Sequence, residues 1–232
     1  MKHLLILAAL MVVIAPAAAF AQSDEYTKFE FFGGYSYTHF DNLSGDTDII
    51  AVNEVLSQRN SLNGFNVAAN YNFHRYVGAK FDYSYHFRED EFSRPLGSGT
   101  VDTNLHNILG GIQVKDNLTE GSRFKPFAHA LFGVAIQKLD VESPQLGPVF
   151  GVSSLSANET SFAMAFGGGL DIKLNKHFEI RAVQADWNII QRGDQQVGIL
   201  LVPTPHQAAG TPFVLPGKGQ DNLRLSFGIV IH

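Results

Sequence analysis

Residues 77–88 alternate without interruption: Val77, Ala79, Phe81, Tyr83, Tyr85 and Phe87 against Gly78, Lys80, Asp82, Ser84, His86 and Arg88. A period of two held over that length specifies a strand rather than a helix. The two faces are unequal, one large and apolar, the other small, polar or charged. The same pattern recurs over 27–40 (Phe29, Phe31, Gly33, Tyr35, Tyr37) and 62–73 (Phe65, Val67, Ala69, Tyr71, Phe73). It returns over 124–138 (Ala128, Ala130, Phe132, Val134, Ile136) and 160–173, where Phe162, Met164, Phe166, Gly168, Leu170 and Ile172 oppose Ser161, Ala163, Ala165, Gly167, Gly169, Asp171 and Lys173. In 221–232, Leu223, Leu225, Phe227, Ile229 and Ile231 alternate with Asn222, Arg224, Ser226, Gly228 and Val230. Stretches 102–114 and 178–190 bring the expected number of strands to eight. The facing of 102–114 stays open, because Leu105 and Leu109 lie on one parity and Ile108 and Ile112 on the other.

The connections carry as much information as the strands. They run long and short in strict turn: 41–61, 74–76, 89–101, 115–123, 139–159, 174–177 and 191–220. One end of the sheet is thus expected to carry tight turns and the other loops, the asymmetry of a membrane barrel with an even strand number. Strands this long exceed the five or six residues usual in soluble sheets and suit a tilted crossing of a bilayer, which takes about 9–11 residues. Backbone groups in hydrocarbon must all be paired, so such strands have to close on themselves. Parity decides which face meets the solvent. Eight strands leave an interior just wide enough for side chains, too narrow for a full set of Phe, Tyr and Leu. The Gly, Ala, Ser and Asn face is therefore expected inside and the aromatic and aliphatic face outside. Aromatics near strand ends fit two interfacial girdles: Phe29, Phe31, Phe73, Tyr76 and Phe178 near the turns, Tyr37, Phe40, Tyr85, Phe87 and Trp187 near the loops.

Composition narrows the alternatives. Charged residues make up 17% of the chain, against about 25% in ordinary soluble domains. Mean hydropathy is only −0.01, far too low for a bundle of membrane helices. With 45% hydrophobic residues the chain is not disordered, and with no cysteine it has neither a disulfide framework nor a thiolate metal site. A net charge of −5 provides no basic surface for nucleic acid. At the start, Lys2 and His3 precede an apolar run from Leu4 to Ala15, followed by Pro16 and Ala19-Phe20-Ala21. That order of features predicts a signal peptide over 1–21, cleaved before Gln22, and a barrel domain over 22–232. Twelve apolar residues fall short of the roughly 20 a spanning helix requires.

Several segments together carry a family likeness. They are Phe31-Phe32-Gly33-Gly34-Tyr35-Ser36-Tyr37, the Val77–Tyr85 strand, Lys125-Pro126-Phe127-Ala128-His129-Ala130-Leu131-Phe132-Gly133, Phe166-Gly167-Gly168-Gly169-Leu170-Asp171, Gln184-Ala185-Asp186-Trp187 and the Asn222–Val230 strand. Taken in order, the chain resembles the OmpA-like, opacity-porin-like group of outer membrane β-barrel domains. The resemblance implies an all-β fold: an eight-stranded antiparallel up-and-down transmembrane β-barrel with short periplasmic turns and long extracellular loops. It implies both termini in the periplasm, an outer membrane location in a Gram-negative bacterium, contact with outer membrane lipid and lipopolysaccharide, and delivery by periplasmic chaperones and the barrel-assembly machinery. Two departures stand out. No stretch after the eighth strand matches the family's optional peptidoglycan-binding domain, and Ile231-His232 stands where an aromatic residue often marks the assembly signal, which bears on the efficiency of insertion.

By parity the inward charges are Glu30, Asp82, Asp171 and Asp186 against Lys80, Arg88, Lys173 and Arg224. Four acids meeting four bases in a narrow bore predict internal ion pairs, since unpaired buried charge is costly. No catalytic, metal-binding or cofactor-binding set emerges. His39, His86, His106 and His129 lie on strands without His-Glu-x-x-His spacing, and no Gly-x-Ser-x-Gly elbow occurs. A Ser–His pair, His106 with Ser84 or His86 with Ser36, is conceivable, but parity places Ser36, Ser84 and His86 inside. Loop 191–220 is apolar for an external loop, with Val197–Pro203 and Thr211–Pro216, and apolar patches often mark interaction sites. The expected role is non-enzymatic: a structural or surface-interaction barrel with a plugged polar lumen, whose loops meet an extracellular ligand. A narrow passive channel for small solutes is the alternative, and a lipid- or peptide-modifying hydrolase the third reading.

Overall fold

The computed structural model describes residues 26–39, 61–94, 97–119, 122–144, 153–199, 201, 208–215, 217 and 219–232. The expected leader, most of loop 41–61 and Phe40 lie outside the described residues. Among the described residues ten strands form: β1 (Phe29–His39), β2 (Ser61–His74), β3 (Val77–Arg94), β4 (Gly97–Lys115), β5 (Phe124–Glu142), β6 (Ser154–Lys173), β7 (Phe178–Gln191), β8 (Gln195–Ile199), β9 (Pro212–Leu215) and β10 (Gly219–Ile231). Eight of them close into an antiparallel barrel in the order β1-β10-β7-β6-β5-β4-β3-β2, while β8 and β9 pair with each other in the connection from β7 to β10. Each barrel strand corresponds to one of the eight alternating stretches. Closure is the physical requirement of a strand set in hydrocarbon, because it leaves no unpaired edge.

The closing seam between β1 and β10 is built on glycine. Gly34 faces Gly228 in the register, and a Cβ at Gly34 would lie 2.1 Å from the Phe227 carbonyl oxygen. A Cβ at Gly228 would lie 2.3 Å from the carbonyl oxygen of Gly33. Only glycine permits that approach without moving the strands apart.

Facing follows the expected parity. Phe81, Phe132, Trp187, Phe227 and Ile229 are exposed on the outer wall, whereas Asp82, Asn107, Asp171 and Arg224 have no exposed surface in the bore. On β4 the odd positions point inward, so Leu105 and Leu109 are buried and Ile108 and Ile112 face out. At one end, here the turn end, lie the connections 75–76, 116–123 and 174–177, and with them the two termini of the barrel: Tyr26 bridges to Leu118, and the His232 amide donates to His177.

The opposite, loop end differs from expectation. In place of a loop over 89–101, β3 and β4 stay paired up to Arg94 opposite Gly97, and in place of a loop over 139–159, β5 runs to Glu142 and β6 begins at Ser154. The barrel ladder of β2 with β3 ends at Asn63–Phe87, and that of β6 with β7 at Phe162–Gln191. The upper parts of β3 to β6 therefore stand beyond their neighbours as a four-stranded wall. Apolar alternation is short or missing here: Arg88-Glu89-Asp90-Glu91 on β3 is charged on both faces, and on β5 only Leu139 and Val141 oppose Lys138, Asp140 and Glu142. The apolar stretch 191–220 holds the β8–β9 hairpin, with Phe213 buried and Ile199 and Leu201 exposed.

Candidate functional site

The bore is packed in layers. Nearest the turn end, Lys115 of β4 reaches across to three carboxylates on three strands: Glu30 of β1 at 3.0 Å, Asp171 of β6 at 2.9 Å and Glu179 of β7 at 2.7 Å. Lys125 of β5 pairs with Glu179 at 2.9 Å and also donates to the Leu118 carbonyl. Arg181 forks onto Asp171 at 2.8 and 3.0 Å and donates to Gln184 at 2.7 Å. Its guanidinium lies between the Phe32 and Phe127 rings, 4.3 and 4.2 Å from their centroids, where cation–π attraction adds to the ion pair.

A second charged layer sits above the first. Arg224 of β10 donates to Asp186 of β7 at 2.7 and 2.9 Å, and to Asp82 and Ser84 of β3 at 2.8 and 3.0 Å. Lys80 lies 3.7 Å from Asp82 and donates to His129 Nδ1 at 3.3 Å, while His129 Nε2 stands 2.9 Å from Asp186. Higher still, His86 Nε2 lies 2.8 Å from Ser36 Oγ and 3.0 Å from Thr38 Oγ1, and Ser36 shares a hydrogen bond with Ser226. Towards the loop end an apolar cluster takes over, made of Leu62, Leu105, Leu109, Leu131, Ala135, Ala163, Ala165 and Ile190.

Of the inward charges expected from parity, Glu30, Lys80, Asp82, Asp171, Asp186 and Arg224 are all buried in these two layers. Arg88 and Lys173 are not members. Arg88 is half-buried near the loop end, pairing with Asp90 at 2.6 Å and donating to the Ser61 carbonyl at 3.1 Å, and Lys173 is half-buried at the turn end, donating to the Thr119 carbonyl. Arg88 stands just past the last β2–β3 pair at the rim and Lys173 at the end of β6, each partly exposed, so parity alone could not bring them into the sealed bore. Lys115, Lys125, Glu179, Arg181 and His129 complete the layers. Alternation over 124–138 already sets Lys125 and His129 opposite the apolar face, and Lys115 falls one residue past the strand expected at 102–114.

Glu179 and Arg181 carry no such signal. Leu170 pairs with Val183 but Asp171 pairs with Arg181, so Ala182 is an extra residue in β7. This β-bulge reverses parity: 179 and 181 point inward below it, and 184, 186, 188 and 190 above it. With the substitutes made, the described bore buries five acids (Glu30, Asp82, Asp171, Glu179, Asp186) and five bases (Lys80, Lys115, Lys125, Arg181, Arg224). Burying charge is tolerable only when it is paired and hydrogen-bonded, and here every one of the ten has an opposite partner within the bore.

Glu30, Glu179 and His232 place donor atoms within 4.8 Å of one another, the one such group among the described residues that could hold a metal ion. The ammonium groups of Lys115 and Lys125 already occupy both carboxylates. Ser36 and His86 come together but have no exposed surface, so no substrate reaches them. His106 faces outward instead, 3.0 Å from the Tyr83 hydroxyl and stacked on Tyr85, away from Ser84.

A closed eight-stranded barrel, oily outside and charge-balanced inside, sets the frame for the comparisons with known proteins. The sequence profile of the outer membrane protein beta-barrel domain matches residues 5–203. The chain belongs to this family. Its place is accordingly the outer membrane. Among solved structures, the outer membrane protein OprG from Pseudomonas aeruginosa is 17% identical and superposes with a TM-score of 0.56, over 90% of this chain and 97% of OprG. The attachment invasion locus protein Ail of Yersinia pestis is 14% identical, with a TM-score of 0.48 over 88% of this chain and 99% of Ail. The outer membrane protease OmpT from Escherichia coli is 8% identical, with a TM-score of 0.48 over 91% of this chain and 99% of OmpT. At these identities the likeness is one of fold. Among curated proteins no relative matches the chain.

Proposed function

We propose that this outer membrane barrel is a non-enzymatic anchor that presents its loop end to an extracellular ligand, and that its lumen is a structural plug. The observation that supports this reading is the pair of cross-lumen cations. Lys115 ties β4 to β1, β6 and β7, and Arg224 ties β10 to β7 and β3, both buried. A solute would have to break both layers and then pass Leu105, Leu109 and Leu131.

With the bore closed, the surface left for recognition is the wall of β3 to β6 above the barrel rim and the β8–β9 hairpin. The outer face of that wall carries Glu89, Asp102 and Asp140 side by side in register, with Lys138 2.7 Å from Asp140. In this reading the predicted leader over 1–21 directs export, residues 22–232 are the mature chain, and the turn end with both termini faces the periplasm, where chaperones and the assembly machinery receive the unfolded protein. Outer membrane lipid and lipopolysaccharide surround the apolar wall.

The test is planar-bilayer recording with liposome swelling on the purified, folded protein. No stable openings and no sugar uptake are expected; stable nanosiemens openings would replace the plug by a narrow channel. Protease treatment of intact cells is expected to cut within the β7–β10 connection and nowhere in the barrel strands.

A further inference from the structure

The outer wall carries Phe, Ile and Leu among small residues such as Gly33, Ala79, Ala128 and Ala185, and where β7 and β10 meet below the bulge it is hollowed. There Ala182 projects only a methyl group outward, and Gly228, whose Cα faces the bore, contributes backbone alone. Leu174, Phe178, Ile180, Phe227 and Ile229 enclose a groove of about 410 Å³ on the membrane-facing side. The bulge lies beside it: Ser226 pairs with Gln184 but Gly228 pairs with Arg181, so Phe227 stands opposite both Ala182 and Val183. Gly228 cannot be enlarged without striking the Gly33 carbonyl at the seam, whereas Ala182 is exposed and carries no such constraint.

We propose that this groove binds one acyl chain of a phospholipid from the leaflet nearer the turn end. The groove is continuous with the apolar wall that meets the bilayer, and it starts at Leu174 and Phe178, beside the 174–177 turn, and rises into the membrane-spanning part. Its volume falls within the roughly 300–1,000 Å³ typical of small-ligand sites, more than a single inserted side chain fills. Its side-chain walls are apolar apart from Arg181, whose guanidinium is turned into the lumen and held by Asp171. The closed ladder offers no free strand edge to a peptide, so a flexible hydrocarbon chain is the occupant that fits.

The chain has a single tryptophan, Trp187, which allows a clean optical test. Trp187→Phe with Phe178→Trp places the probe in the groove. Trp187→Phe with Phe124→Trp places it at the turn end of β5, away from this groove. Both are reconstituted in phosphatidylcholine vesicles containing increasing fractions of chain-brominated phosphatidylcholine. The groove probe is expected to show a deeper quenching curve of one-site form, and the control probe the shallower curve of freely exchanging lipid. Adding Ala182→Phe to the groove probe is expected to abolish that difference, with Ala182→Leu as the milder filling variant. Heat-dependent gel mobility checks that each variant is folded. Identical curves for the two probes, or a difference that survives filling in a folded barrel, would overturn the proposal. So would a dimer in sedimentation that Ala182→Leu dissociates, since a second copy would then own the groove.

Discussion

Towards the turn end the bore is filled by ten charges that neutralise one another, and towards the loop end by Leu62, Leu105, Ala135, Ala163 and Ile190. Both halves exclude water from the axis, but they fail differently. In the charged half each group is tolerable only because its partner is present, so removing one leaves another buried and bare. In the apolar half each side chain contributes its own contacts, and losses accumulate. Perturbations that treat the halves alike should therefore give unlike results, from a barrel that does not form down to one that barely changes.

The largest effect is expected from deleting Ala182. Without the surplus residue β7 regains one uninterrupted parity, so either Glu179 and Arg181 or Gln184 and Asp186 must turn to the lipid. An arginine on the lipid face alone costs about 2–4 kcal/mol at mid-membrane, and its lumen partners Asp171 and Gln184 would be stranded as well. No heat-modifiable, protease-resistant barrel should be recovered. Recovery of one would mean that the charged half does not depend on the bulge.

Arg224→Met comes next. It takes from Asp186 its one Lys or Arg partner and leaves Asp82 with Lys80 alone, and breaking a buried pair in this way typically costs about 3–5 kcal/mol. Urea unfolding in vesicles, read by gel mobility, should show that loss. Adding Asp186→Asn alone should recover most of it, because it restores the balance of charge and leaves Asp82 to Lys80. Leu105→Ala is expected to cost about 2–5 kcal/mol by leaving a cavity. Here a second truncation, Leu131→Ala, should deepen the loss instead of relieving it. Rescue in the apolar half, or its failure in the charged half, would erase the distinction between them.

The alternation of the sequence made the charged half largely legible and the apolar half scarcely so. Strict parity placed Glu30, Lys80, Asp82, Asp171, Asp186 and Arg224 inside, because each lies on a strand with one unmistakably oily face. Glu179 and Arg181 escaped because a bulge leaves no mark in a sequence: Ala182 and Val183 look like any two strand residues. Leu105 and Leu109 were ambiguous since β4 carries large apolar residues on both faces, one toward lipid and one into the seal. The tall wall of β3 to β6 was invisible for a related reason. Above the rim β3 carries charge on both faces in Arg88-Glu89-Asp90-Glu91, and the few apolar positions that are buried there, Val101 and Leu139, are too sparse to reveal period two.

The smallest effect sharpens the comparison by moving the same chemistry out of the bore. Arg75 and Asp116 form an Arg–Asp pair in the turn region, with side chains 41% and 35% exposed and 3.3 Å apart. Partial burial pushes the Asp116 carboxyl up, but the hydrogen bond from Arg75, the Leu118 amide and the Arg75 charge outweigh it and hold its pKa below the ordinary aspartate value. A lowered folded-state pKa stabilises the fold at pH above the unfolded value. That contribution fades as the pH falls through the ordinary aspartate range and is gone below the folded pKa. Because water screens an exposed pair, Arg75→Met should cost less than about 1 kcal/mol at neutral pH, and less again at high salt. Measured beside Arg224→Met by the same urea titration, it should be several-fold milder and, unlike the buried break, weaken further with added salt. Equal costs would mean that the bore is wet enough to screen its charges, and the turn-end half would then be a solvated channel rather than a seal.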